Sequence, residues 1–159
     1  MNKLKWVLFL ITLTVSIVSC SNNNLVDTND AVAENNWLYA KSAKATVEIK
    51  DINQPYAIHF KLRHTVDYKY ANLFVVMRLK GDSLNKSARY EVKLAKNNGE
   101  WIGKGSGDIF TNNFALVKDY RFTKPGKYQI EITQNMKDNP LVGISDVGIT
   151  VSKQIENLK

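Results

Sequence analysis

Cysteine is almost absent: the 159-residue chain has one, Cys20. That excludes an internal disulfide framework, a Cys-rich zinc site and, beyond Cys20 itself, a cysteine nucleophile. Histidine is nearly as scarce, with only His59 and His64. Five residues apart, they would face opposite sides of a shared strand and could not ligate one metal. Both are expected as surface or edge residues. No Gly-x-Ser-x-Gly elbow occurs, and nothing nominates a catalytic triad. No helical period follows residue 20, and no apolar run reaches the roughly 20 residues of a bilayer span. Lys and Arg outnumber Asp and Glu by 22 to 15, but no five like charges are consecutive. The basic excess therefore predicts a solvated surface rather than a nucleic-acid site.

What is present begins with a leader. Lys3 and Lys5 precede the apolar stretch WVLFLITLTVSIV at residues 6–18, and IVSC closes it at Cys20. A basic start, a short apolar core and a small-residue cleavage site make a secretory signal over residues 1–19. IVSC has the form of a bacterial lipobox, so Cys20 is the expected lipid-attachment site and the bilayer an expected partner. Two or more acyl chains anchor a protein stably where one does not. Residues 21–24 (SNNN) lack the acidic pair associated with surface export, which predicts attachment in the cell envelope facing the periplasm. Residues 20–36, rich in Asn, Asp and Ser, read as lipidated Cys plus a flexible tether. The folded domain is expected over 37–153, with a short tail at 154–159.

From Trp37 onward the apolar pattern has period two. Val47 and Ile49, Tyr56 to Leu62, Leu73 to Leu79, Tyr90 to Leu94, Tyr128 to Ile132 and Val147 to Val151 each alternate with polar residues. A less regular apolar stretch occupies residues 114–122. Turn chemistry separates these runs, notably Asn97-Asn98-Gly99-Glu100 and Lys124-Pro125-Gly126-Lys127. Seven or eight short strands of this kind predict an all-β fold, a single antiparallel β-sandwich of immunoglobulin-like or jelly-roll topology.

Two stretches stand out. In Gly99-Glu100-Trp101-Ile102-Gly103-Lys104-Gly105-Ser106-Gly107-Asp108-Ile109 three glycines alternate at 103, 105 and 107. A phosphate-cradling loop needs a helix after it, and here a strand follows. A structural role is expected instead, with Trp101 or Phe110 lying against a face bare of side chains. Arg63, His64, Asp67, Tyr68, Tyr70 and Asn72 cluster between two strands. They form a candidate partner-binding loop, or one whose tyrosines pack down as plugs.

The chain resembles the GldH family of gliding-motility lipoproteins. The resemblance rests on Gln54-Pro55-Tyr56, Leu62-Arg63-His64-Thr65, Asp67-Tyr68 with Tyr70, and Asn72-Leu73-Phe74. It continues through the glycine stretch, Gly126-Lys127-Tyr128, Gln134-Asn135-Met136, Leu141-Val142-Gly143-Ile144 and Asp146-Val147-Gly148. It spans about residues 45–151. It implies a membrane-anchored, non-enzymatic accessory that works with other gliding and type IX secretion envelope proteins; apart from the resemblance, no cofactor, metal or nucleic acid is expected. An envelope glycan-binding module using Tyr68, Tyr70 and Trp101 is the alternative expectation.

Overall fold

The computed structural model describes residues 23–154. Twelve strands run in chain order: β1 Asn24–Asp27, β2 Asp30–Ala31, β3 Asn36–Trp37, β4 Ala43–Ile49, β5 Tyr56–Thr65, β6 Asn72–Lys80, β7 Asn85–Lys93, β8 Lys104–Ser106, β9 Ile109–Tyr120, β10 Gly126–Gln134, β11 Leu141–Val142 and β12 Ile144–Lys153. One 3-10 turn, Ala33–Asn35, is the sole helical element among the described residues. One sheet has the order β1-β12-β5-β9-β8, with β2 also on β12, and the other β4-β10-β6-β7. β3 and β11 form a small ribbon. All pairings are antiparallel.

The period-two runs explain this layout. On β5, Tyr56, Ile58, Phe60 and Leu62 are fully buried, while His59, Lys61 and Arg63 are half-exposed on the other face. On β6, Leu73, Val75, Met77 and Leu79 are buried in the same alternation. Their apolar stripes face each other across the sandwich with those of β4, β10 and β12. Burying each such side chain contributes about 1.5–3 kcal/mol, which is the main drive to this fold. Edge strand β7 is exposed along most of its length and carries Lys86, Arg89 and Lys93. Charged side chains on an edge discourage pairing with other chains.

The boundary of the domain differs from the sequence expectation. The stretch expected as a tether to residue 36 is already strand from Asn24. Asn24, Val26 and Asp27 pair with Ser152, Val151 and Thr150. Thr28 then continues the edge: its N–H donates to Ile149 O at 2.9 Å, and its Oγ1 accepts from Ile149 N at 3.0 Å. Polar composition suggested a linker, but an edge strand needs only backbone groups and one apolar side, here Val26 against the core. Cys20 and residues 155–159 lie outside the described residues.

The topology gives the sandwich two poles. β1, β5, β7 and β10 start at one, and β4, β6, β9 and β12 end there. The N-terminus of the described chain therefore emerges at that pole. The loop after β5, the glycine hairpin and the β3–β11 ribbon are at the other. β5 alone, ten residues long, separates them by about 30 Å.

Candidate functional site

The two stretches singled out in the sequence meet at the far pole, around His64. This ring is the last inward side chain of β5 and is 0% exposed. The expectation that it lies at the surface is corrected: the alternation that buries Leu62 also buries His64. His59 does face outward, with Nδ1 3.1 Å from Asn113 Oδ1. Trp101 meets the His64 ring edge-on at 4.6 Å, Phe110 stacks on it at 5.6 Å, and Tyr68 lies tilted at 5.7 Å. Nδ1 of His64 is 3.0 Å from Thr65 O, so the proton sits on Nδ1. Burial holds the imidazole below its ordinary pKa, partly opposed by that hydrogen bond.

The glycines make this packing possible. A Cβ on Gly103 would lie 2.7 Å from Asn112 Nδ2 and 2.9 Å from Thr111 O, and one on Gly105 3.2 Å from the Phe110 ring. The bare face thus admits Phe110 and Asn112. Trp101, the other expected ring, packs on His64 instead. Gly107 serves the backbone: at φ +60 it turns the hairpin between β8 and β9. Asp108 follows in that turn and its carbonyl accepts from Val66 N at 3.0 Å. Among the described residues, His64 Nε2 and Asn112 Nδ2 are buried without a hydrogen-bond partner.

The candidate partner loop divides. Tyr68 is 3% exposed and belongs to the core, its hydroxyl donating to Asn72 O at 2.9 Å. Burial, with Tyr70 and Asp138 nearby, raises its pKa far above the ordinary phenol value. Gly143, at φ +88, presses its backbone against Tyr68. Tyr68 therefore has no free face on which a sugar could stack, which counts against a glycan platform built with Tyr70 and Trp101. Tyr70 is half-buried and donates to Asp138 Oδ2 at 2.6 Å, a bond that raises its own pKa. Asn72 donates to Glu91 at 2.7 Å. Asp67 is exposed in the turn, its N–H bonded to Thr65 Oγ1 at 3.3 Å. Arg63 is on the opposite face of β5, paired with Asp146 at 3.3 Å, and does not join the cluster.

What lies exposed at this pole was not singled out from sequence. Seven large apolar side chains stay exposed among the described residues. Five of them, Leu38, Tyr39, Val66, Ile102 and Val142, are at the far pole, and Leu25 and Ile52 are at the other. Each follows or interrupts a strand pattern, so its sequence neighbours give no sign that it faces water. Among the described residues, no group of three or more His, Cys, Asp or Glu is placed to hold a metal ion.

An antiparallel β-sandwich downstream of a lipobox-like sequence, with a packed aromatic pole opposite the start of the described chain, has the form of an envelope lipoprotein domain. Comparison with known proteins narrows this. The profile of the GldH lipoprotein family matches residues 24–151, beginning where β1 begins. The gliding motility lipoprotein GldH homolog of Christiangramia forsetii is 28% identical over 145 residues, covering 85% of this chain and 87% of that protein. The gliding motility lipoprotein GldH of Flavobacterium johnsoniae is 24% identical over 153 residues, covering 91% and 94%. A solved structure of infectious bursal disease virus, Gx strain, aligns with 85% of this chain and 33% of that one, at 11% identity and a TM-score of 0.31, too low to inform the fold. This chain belongs to the GldH lipoprotein family.

Proposed function

We propose that this chain is a lipid-anchored accessory of bacterial gliding, facing the periplasm, that works without catalysis by binding other gliding or type IX secretion proteins of the envelope. The family and its gliding-motility relatives support the process. The observation that carries the binding role is the concentration of five of the seven exposed large apolar side chains at the pole opposite the N-terminus. Exposed apolar side chains gathered on one part of a surface mark contact sites. The buried aromatic ring around His64 is the support beneath that surface. It holds the loop after β5 and the glycine hairpin rigid, so the exposed Val66 and Ile102 sit on fixed backbone. Preorganised backbone reduces the ordering cost of binding.

The test is a Val66→Asp/Ile102→Asp double variant expressed from the native locus. Both side chains are about half exposed, at 47% and 49%. Each change should therefore alter stability by no more than about 0.5 kcal/mol. Loss of cell spreading and of type IX cargo export, with unchanged protein level and membrane fractionation, supports the reading. Full motility and export in the variant contradict it. Protease shaving that degraded the protein on intact cells would contradict the periplasmic orientation alone.

A further inference from the structure

We propose that the pole from which the N-terminus emerges is a basic face that lies against the anionic phospholipid headgroups of the bilayer holding Cys20. The inference rests on the lipid anchor but not on any gliding partner.

Charge is the first observation. Beyond the leader the chain carries 20 Lys and Arg against 15 Asp and Glu, an excess of five. The near pole holds most of it. The turn after β4 supplies Lys50 with Asp51, and Glu48 lies just inside it. The β6–β7 hairpin supplies Lys80 and Lys86 with Asp82. The end of β9 and the turn into β10 supply Lys118, Arg121, Lys124 and Lys127 with Asp119. Lys153 closes β12. That is eight cations against four carboxylates, leaving one net charge for the rest of the chain, and all eight cations are exposed.

Reach is the second. Cys20 precedes Asn24, the first residue of β1, by four positions, so the chain between them spans at most about 14 Å. Asn24 is at the near pole, opposite Ser152. The acylated end cannot leave the bilayer, so Asn24 at this pole stays within about 14 Å of it, between one and two Debye lengths of about 8–10 Å. Basic side chains at that distance are drawn to an anionic leaflet. Third, Ile52 is exposed at the tip of the turn after β4, beside Lys50, and Leu25 is exposed on β1. An apolar tip two residues from a lysine suits a headgroup boundary. An upright domain would hold the aromatic pole about 30 Å from the bilayer.

The experiment uses the full lipidated protein in vesicles, with a single fluorophore on Thr123→Cys at the near pole or Asn98→Cys at the far pole. Acylation of Cys20 leaves the introduced thiol as the only one free. Quenching by nitroxide-labelled lipid is read in phosphatidylcholine vesicles with and without phosphatidylglycerol. The expected result is quenching at position 123 that rises about threefold or more with phosphatidylglycerol, falls in high salt, and is absent at position 98. A Lys50→Glu/Lys124→Glu/Lys127→Glu variant should stay vesicle-bound through its anchor, keep its circular dichroism spectrum, and lose the added quenching. Quenching at 123 that ignores lipid charge and the charge reversal would overturn the proposal, as would equal quenching at 98.

Discussion

At the residue scale, the three alternating glycines make separable demands. Gly103→Ala drives a methyl into Asn112 and the Thr111 carbonyl. Overpacking of this kind costs about 1–3 kcal/mol. Gly107→Ala meets nothing within 4 Å but must hold φ +60, which costs about 1–2 kcal/mol. Thermal unfolding should therefore place Gly103→Ala at or below Gly107→Ala in melting temperature. A Gly103→Ala protein as stable as the parent would remove the close-packing account. His64 gives a pH prediction. The folded state keeps it neutral and holds its pKa down, while the unfolded chain takes up a proton near pH 6.5. Stability from this group is full above that value and falls on acidification, by at most about 1.4 kcal/mol per pH unit. Urea titrations at pH 7 and pH 5 should show a smaller loss in His64→Phe than in the parent, and equal losses would contradict the assignment. His64 was visible in the sequence as part of a motif, but not as a core residue. Its polarity argued for the surface, and only its place in the Tyr56–Leu62 alternation argued for the interior.

At the element scale, the strands were legible and the edge was not. Each of the seven strands of seven residues or more contains a period-two or apolar run apparent in the sequence, because one wet and one dry face impose that period. β1 and β2 carry no such run: their residues are mostly exposed and their stability comes from backbone pairing to β12. The pairing of this edge can be measured at Thr28. Its hydroxyl is the hydrogen-bond partner of the Ile149 N–H, and Ile149 is 0% exposed. Thr28→Ala leaves a buried donor unpaired, at about 1–3 kcal/mol. Chemical denaturation should show that loss, whereas a residue in a free tether would show none. The two-residue ribbon of β3 and β11 was equally invisible, being too short to hold a period.

At the scale of the whole molecule, topology sorts the surface into two ends with different chemistry. One carries most of the net charge and receives the N-terminus. The other gathers the aromatic and glycine stretches singled out in the sequence and most of the exposed apolar side chains. No linear pattern showed this, since Val66, Ile102 and Val142 are distant in sequence and reach the same pole only through strand order. The division of labour predicts that surface changes at the far pole affect motility while leaving membrane attachment intact. The most direct test is site-specific photo-crosslinking in living cells, with the probe at Ile102 or at Thr123. The two-pole arrangement predicts adducts with gliding or type IX envelope proteins from Ile102 and with lipid from Thr123. Protein adducts from Thr123 with none from Ile102 would contradict it.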